Sequence, residues 1–482
     1  MVKEIVHSEY QLDIFNAYDN TEDDLLINAV AGSGKTYTIT KLSERSRGRT
    51  LFLAFNKSIA EEIAKKVPPY VDAMTLHSLG CRAIMNKFGV KINAGKTFGF
   101  IQKNMKKWKI PEKEKGQAFF VIDKLVDLYR LTMCKSQDDL IKVAMDLGIF
   151  FTEQHLEYVA QVLKQLERAN RMPKEIDFTD MIYLPATSAR YQLPKYDNVF
   201  VDECQDLNNA QHELVDKLTK RSRVVYVGDE FQAIYGFAGA NTQSFERLRN
   251  KRGIQEMPLS VCYRCPQAVI EKARRIYPII EAFEDNPEGI VEDDWDFVEA
   301  EEGDMVLCRN LKPLIPIYFE MILDEKKAYI RGKEIGQSLI RLLKPYKDKT
   351  LFQMSQGLTQ ELKKVEDELK ARGINKPKKH PTYDSLAEKV GAIMIISKKY
   401  NTVPAMIELL EEMFTDESRE GVLLSTIHKA KGLEADNVFF VNKHLIPSQY
   451  ATTQEQLEQE NNLLYVATTR AKKRLVYVTV ND

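Results

Sequence analysis

The sequence has few of the features that would mark a secreted, membrane-bound or metal-stapled protein. Six cysteines in 482 residues are too few and too irregularly spaced for a disulfide framework, which points to a reducing compartment. The one C-x-x-C, Cys262 and Cys265, has Tyr263 and Arg264 between its cysteines and no second Cys/His pair at zinc spacing, so a metal reading is set aside. No apolar run approaches the ~18–20 residues that cross a bilayer. The opening stretch MVKEIVHSEYQLDIF lacks the apolar core and small-residue cleavage site of a secretory signal, so a cytoplasmic location is expected. There is also no excess charge of either sign: the net charge is −1, a value that can still conceal a local basic stripe. Charge is unevenly spread, with an acidic run from Glu281 to Asp304 and basic runs at 103–109 and 376–380. Each of these reads equally as a solvated face or a binding surface.

What is present is the composition of a globular protein, 44% hydrophobic and 29% charged, at a length that implies about two to four domains. Short β-branched or apolar runs alternate with longer helical stretches, the pattern of α/β layers with parallel strands. Strands are predicted at 25–30, 50–55, 198–202, 224–228, 304–308, 422–426, 437–441 and 475–480. They fall into two clusters, each interrupted by a strand-poor segment, the first at about 82–177 and the second at about 333–415. The second contains LTQELKKVEDELKARG (358–373), an amphipathic exposed helix by its periodicity. The expected architecture is therefore doubled, with two α/β cores and two inserts, although no sequence repeat is evident.

INAVAGSGKTYT places a glycine-rich loop between an apolar strand and a helix beginning near Lys35. In that context the backbone N–H groups and the helix N-terminus face an anion. Lys35 would reach the β- and γ-phosphates, and the Thr36 hydroxyl would ligate Mg²⁺. Ala29 stands where the strict pattern has its first glycine. VFVDECQD supplies the complement, a strand ending in Asp202 and Glu203, of which the first can hold the metal and the second can polarise water. Together they imply nucleoside-triphosphate hydrolysis. Arg470, at the end of NNLLYVATTRA in the second strand cluster, is placed to stabilise transition-state charge on a γ-phosphate. VGDEFQAIYGFAGAN (227–241) follows another strand with a glutamine and several aromatics, more than a turn requires.

Taken in order, AVAGSGKT (29–36), AFNKSIAEEI (54–63), TLHSLG (75–80), DFTDM (177–181), VDECQD (201–206), VGDEFQAIYGFAGA (227–240), CYRCP (262–266), STIHKAKGLEADNVFFV (425–441) and LLYVATTRAKKRL (463–475) resemble a superfamily 1 DNA helicase of the UvrD/PcrA/Rep type. The matching stretches span nearly the whole chain, and Ala29 is usual in that family. The resemblance implies two RecA-like parallel-sheet motor domains, 1A (1–81 and 178–283) and 2A (284–332 and 416–482), with mostly helical insertions 1B (82–177) and 2B (333–415). It implies ATP- and Mg²⁺-dependent 3′→5′ translocation on single-stranded DNA and strand separation at single-/double-strand junctions by a monomer. By the same resemblance, Ala31, Gly32, Ser33, Gly34, Lys35 and Thr36 cradle the nucleotide, with Thr36 and Asp202 on the metal. Gln11 recognises adenine, Tyr263 stacks on it and Glu434 binds the ribose. Gln232, Arg264 and Arg470 sense the γ-phosphate. Phe55, Thr75, His77, Tyr235, Phe237, Thr426 and His428 fall on the DNA side, where aromatic faces stack bases without demanding sequence.

Plain packing competes with several of these roles: His77 also reads as a core histidine, Tyr235 as a residue packed beneath its turn, and Trp108 more readily as helix packing than as a DNA contact. The chain departs from the family in AFNKSIA, one residue shorter than the common pattern, and in Phe237-Ala238 where Trp then Arg are common. The inserts are shorter than in the large bacterial members. The family's partner-binding tail and a nuclease-like cluster are expected to be absent. A translocase that strips proteins or recombinase filaments from single strands, and a DNA-regulated ATPase switch, share most of these motifs. The Gln232–Tyr235–Phe237 aromatics favour either motor over the switch. A compact helicase of this kind would suit a phage, and so a host cytoplasm, as well as a cell.

Overall fold

The computed structural model describes residues 7–110, 115–147, 149, 151–234, 236, 243–296, 298–371, 373–417 and 419–480. The chain divides into two compact units after Ser260, earlier than the boundary after residue 283 taken from the sequence. The reason is local. The Cys265 thiol donates to the carbonyl of Thr469 (3.5 Å), and the Tyr277 hydroxyl donates to Asn462 Oδ1 (2.6 Å). Residues 261–283 are thereby tied to the later part of the chain.

The first unit is built on a six-stranded sheet in the order Val71–Thr75, Thr50–Ala54, Asn198–Val201, Arg223–Gly228, Asp24–Ala29, Ile254–Leu259. All its pairings are parallel. Its central strands are mainly apolar because both faces are covered, with polar residues such as Asp24, Asn28, Thr50, Asn198 and Arg223 at or near the strand ends. Leu26, Leu51, Leu53, Val199 and Val201 share one cluster with Leu214 of the helix Asn209–Leu218. The alternate residues, Leu25, Ile27, Phe52, Phe200 and Val225, meet Ile14 and Ile39 from the helices Glu9–Asn20 and Lys35–Arg45.

Four helices, Lys96–Met105, Lys115–Leu131, Gln137–Asp146 and Glu153–Ala169, gather around a cluster of their own that includes Ile101, Ile122, Leu125 and Val162. Trp108 stacks on Tyr158 here, with ring centroids 4.1 Å apart, and its Nε1 donates to Gln161, so it packs against the helix Glu153–Ala169. A buried charge cluster ties these helices to the helix Phe178–Thr187. Lys96 donates to Asp180 (2.5 Å) and to Asn170, while Arg130 donates to Asp180 (3.2 Å) and Asp177 (3.5 Å). Asp177 also caps that helix.

The second unit holds a seven-stranded parallel sheet in the order Ile290–Trp295, Ala471–Val478, Ala435–Val441, Met305–Cys308, Val422–Thr426, Ala328–Arg331, Phe414–Thr415. The helices Lys333–Leu343, Leu351–Ala371, Pro381–Ser397 and Val403–Met413 share one core with this sheet, through Leu339, Met354, Ile393 and Met406 against Val306, Ile330 and Leu424. The stretch expected to form an exposed helix is part of Leu351–Ala371 and buries Leu358, Val365 and Leu369.

The eight strands read from the sequence all form, with ends shifted by a few residues. Among the described residues, five more strands of these two sheets were not read. Val71–Thr75, Ile254–Leu259 and Ile290–Trp295 are sheet edges, where Asp72, Glu256, Pro258 and Asp293 break the apolar pattern that betrays a central strand. The fourth, Ala328–Arg331, is only four residues long and neighbours the fifth, the two-residue edge strand Phe414–Thr415.

Candidate nucleotide site and nucleic-acid face

The loop after Asp24–Ala29 turns into the helix Lys35–Arg45 through Gly32 (φ +67°) and Gly34 (φ +79°). Both lie in the left-handed region that favours glycine. Gly34 occupies the helix N-cap and brings no side-chain cap, which leaves the positive end of the helix to face an anion. Ser33 does not point outward: its hydroxyl donates to the Val30 carbonyl (2.8 Å) and stiffens the loop. Thr36 is exposed in the first turn. Gln11 is buried beside this loop. Its carboxamide accepts from the Ser8 N–H (3.1 Å) and donates to Thr38 Oγ1 (3.1 Å), and an added Cβ on Gly34 would lie 3.7 Å from its Nε2.

Lys35 faces an acidic set. Its Nζ lies 3.9 Å from Glu203 Oε2 and 4.0 Å from Asp229 Oδ2. Asp202 is buried at the end of Asn198–Val201, and burial, followed by the repulsion of Glu203, pushes its carboxyl up to about 7. A carboxyl whose pKa is raised in this way is one that a divalent ion would ionise, so Asp202 could hold Mg²⁺, with the exposed Thr36 hydroxyl as the candidate on the loop side. Glu203 adopts φ +51°, uncommon for a residue with a long side chain, and its N–H donates to Asp202 Oδ1 (2.9 Å). Strained backbone of this kind is held by its surroundings. Here Gln205 contributes: its Nε2 donates to Glu203, and its Oε1 accepts from the Asp229 N–H (3.0 Å).

Asp229 and Gln205 were not singled out from the sequence. Asp229 is fully buried, burial raises its carboxyl, and its Oδ2 accepts from Gln232 Nε2 (2.5 Å). Gln232 is thereby linked through one carboxylate to Lys35. A usable signal was the Gly-Asp that ends an apolar strand three residues before Gln232. Gly228 is needed for close approach, since an added Cβ would sit 2.3 Å from Gln205 Oε1 and 2.8 Å from Cys204 Sγ.

The residues assigned to DNA in this unit converge in part. Phe55 and His77 line one pocket with Leu76, Val201, Asp202 and Gln211, at the C-terminal edge of the sheet. Phe55 is 48% exposed. His77 stands edge-on to the exposed ring of Phe178, 6.3 Å between centroids, and burial lowers its pKa, which favours a neutral ring. Thr75 is mainly a helix cap, its Oγ1 accepting from the Ser78 N–H (3.1 Å). Tyr235 and Phe237 lie outside the described residues.

In the second unit, Arg264 and Glu434 pair with each other, Nε to Oε2 at 2.6 Å. Tyr263 packs its ring 4.9 Å from that of Phe283, and its hydroxyl oxygen is buried without a hydrogen-bond partner among the described residues. Arg470 is 1% exposed and donates to the carbonyls of Val466 (2.9 Å) and Leu433 (3.0 Å) and to Thr469 Oγ1 (3.3 Å). Thr426 ends its strand and accepts from the N–H groups of Lys429 (2.9 Å) and Ala430 (3.1 Å) through its carbonyl. Burial, then the charges of Arg309 and Lys429, push His428 down to about 3, so its imidazole is neutral at physiological pH.

Residues 11–252 match the UvrD/REP helicase N-terminal domain and residues 135–482 the UvrD-like helicase C-terminal domain. F-box DNA helicase 1 of Gallus gallus is 26% identical over 504 residues, covering 93% of this chain and 47% of that protein. ATP-dependent DNA helicase PcrA of Staphylococcus aureus is 30% identical over 259 residues, 48% of this chain and 35% of its own length. The PcrA of Leuconostoc citreum is 26% identical over 289 residues, 54% of this chain and 38% of its own. The chain thus spans about a third to a half of the length of these relatives. A solved arterivirus nonstructural protein 10 (helicase), at 12% identity and a TM-score of 0.36 over 96% of this chain and 61% of its own, is too distant to bear on the fold. Two parallel α/β sheets, the phosphate loop and acid set on the first, and the two matched regions together place this chain in the UvrD/REP-type superfamily 1 helicase family.

Proposed function

We propose that this chain is an ATP-driven motor that moves 3′→5′ along single-stranded DNA and separates the strands at single-/double-strand junctions. The observation that carries the reading is the convergence on Lys35 of the loop Ala31–Gly34, the carboxylates of Glu203 and Asp229 and, through Asp229, Gln232. In this reading Lys35 and the loop N–H groups hold the β- and γ-phosphates, and Gln11 stands beside the loop to read adenine. Thr36 and Asp202 hold Mg²⁺, which when bound offsets charge on the phosphate oxygens. Glu203 orients the attacking water and accepts its proton. Gln232 exchanges its bond to Asp229 for one to the γ-phosphate. From the second unit, Tyr263 is assigned to the base, Glu434 to the ribose, and Arg264 and Arg470 to the γ-phosphate. For both arginines the assignment requires hydrogen bonds now made within that unit to be exchanged.

DNA is assigned to Phe55, Thr75, His77, Tyr235, Phe237, Thr426 and His428. The shared pocket of Phe55, His77 and Asp202 supports a track that begins beside the metal-side acid. A neutral His428 would contact DNA by hydrogen bonding or stacking and not as a cation. The motor is assigned to the cytoplasm, acting as a monomer.

Single-turnover unwinding of duplexes with a 3′ or a 5′ single-stranded tail tests the reading, together with ATPase assays with and without single-stranded DNA. The expected result is ATPase stimulated by DNA and unwinding from the 3′ tail. Preference for the 5′ tail would reverse the polarity, and ATPase indifferent to DNA would remove the motor.

A further inference from the structure

The first unit carries a second cleft, of about 760 Å³, at the edge of the sheet away from the phosphate loop. Arg49 directly precedes the strand Thr50–Ala54, Tyr196 precedes Asn198–Val201, and Asp72 lies near the start of Val71–Thr75. The strands are parallel, so these residues mark their N-terminal edge, whereas the phosphate loop and Asp202 follow strand ends. Arg82 and Lys87, from the last turn of the helix Leu76–Met85 and the residues after it, and Arg190 complete the wall.

The chemistry of the wall is one-sided. Arg49, Arg82, Lys87 and Arg190 face a single lining carboxylate, Asp72, and that carboxylate already accepts from the Tyr196 hydroxyl (2.9 Å). The nearby Asp197 carboxylate accepts from the Arg49 N–H (2.7 Å). None of the four cations forms an ion pair among the described residues, although exposed cations elsewhere on this unit do so readily, as in Arg45–Asp19 and Lys66–Glu62. Lys87 and Arg190 are partly occupied, Lys87 donating to the carbonyl of Arg190 (3.2 Å) and Arg190 to those of Arg171 and Asn170, while the buried Arg190 Nε has no partner among the described residues. A position near a helix C-terminus accounts for Arg82 and Lys87 but not for Arg49. Between the cations lies apolar surface from Met74, Leu79, Ala83, Leu193 and Pro194.

We infer that this cleft binds an acidic peptide segment of a partner protein, with an apolar side chain seated on the floor and carboxylates meeting Arg49, Arg82 and Lys87. Nucleic acid fits less well, because a single strand is held by ring faces as well as cations. The one aromatic ring in the lining, Tyr196, is buried under the Arg49 guanidinium, 5.0 Å from its centroid. The inference stands apart from the motor reading, since none of these residues belongs to the nucleotide site or to the residues assigned to DNA.

Fluorescence anisotropy on the full chain tests it, with a short labelled peptide rich in Asp and Glu around a central Phe-Leu pair. The same peptide with Lys in place of the acids serves as control, and an unlabelled single-stranded oligonucleotide as competitor. The expected result is binding of the acidic peptide alone, weakening as salt rises, and insensitive to the oligonucleotide. Arg82→Glu combined with Lys87→Glu, both exposed positions, should weaken it by about tenfold or more while leaving DNA-stimulated ATPase unchanged. No binding by the wild-type chain, equal binding by the charge-reversed variant, or displacement by the oligonucleotide would each overturn the inference. The salt dependence and the competition are measured on the wild type, so they hold even if the variant does not fold.

Discussion

Asp229 accepts the hydrogen bond of Gln232 with the same oxygen, Oδ2, that lies 4.0 Å from the Lys35 ammonium. One buried carboxylate thus joins the phosphate-loop lysine to the glutamine that opens the aromatic stretch at 232–237. On the proposed function, a change at the γ-phosphate would be felt by Gln232 through what it bonds to. Asp229→Asn keeps the shape and removes the charge. ATP turnover at saturating nucleotide is expected to fall about tenfold to a hundredfold, while nucleotide affinity, measured with a fluorescent analogue, holds or tightens as Lys35 loses a competing anion. Wild-type turnover would detach Asp229 from the site.

The Asp202 carboxyl, held at about 7 against 3.8 for an ordinary aspartate, has a defined signature in pH. Between those values the folded chain keeps a proton that the unfolded chain has released. The Asp202 contribution to stability therefore declines as pH rises toward 7. Without Mg²⁺, the melting temperature of the wild type should fall from about pH 5 to about pH 8 more than that of Asp202→Asn. With Mg²⁺ the stabilisation should grow with pH, because the ion no longer has to displace the proton. A Mg²⁺ effect independent of pH would argue against Asp202 as ligand.

Gly228→Ala tests the packing behind the acids. The added methyl would meet Gln205 Oε1 at 2.3 Å, and Gln205 is what holds both Glu203 and the Asp229 N–H. Urea unfolding should show a loss of about 1–3 kcal/mol, accompanied by a drop in turnover. Unfolding and turnover both at wild-type levels would show that the turn has room that the structure denies it.

Lys96→Met leaves Asp180 buried beside Asp177 with Arg130 as the one remaining cation paired to them among the described residues. Breaking a buried pair from one side costs about 3–5 kcal/mol. The double variant Lys96→Met with Asp180→Asn should recover much of this, and chemical denaturation of the three proteins measures it. Additive losses would show that the two side chains are not coupled. DFTDM therefore has a structural task in this chain: Asp177 and Asp180 tie Lys96 and Arg130 of the four-helix cluster to the helix Phe178–Thr187.

The local context of the phosphate loop and the acid pair was legible from residue order alone. The glycines, lysine and threonine of the phosphate loop must follow one another to wrap an anion, and Asp202-Glu203 must end an apolar run to be delivered to a surface. The alternation of apolar runs and helical stretches likewise disclosed two parallel sheets, because strands covered on both faces are made mainly of apolar residues. The edge strands escaped, since Asp72, Glu256 and Asp293 face solvent there at little cost.

What the tertiary structure alone decided is which strands are neighbours. Arg223–Gly228 lies between Asp24–Ala29 and Asn198–Val201, with Gly228 opposite Asn28 and Tyr226 opposite Val201. That order puts Asp229 between the phosphate loop and the acid pair, although it is about two hundred residues from the first in sequence. The same order leaves Arg49, Asp72 and Tyr196 together at the opposite edge. No local pattern encodes such a neighbourhood, because it is set by how whole helices and strands bury their apolar faces against one another.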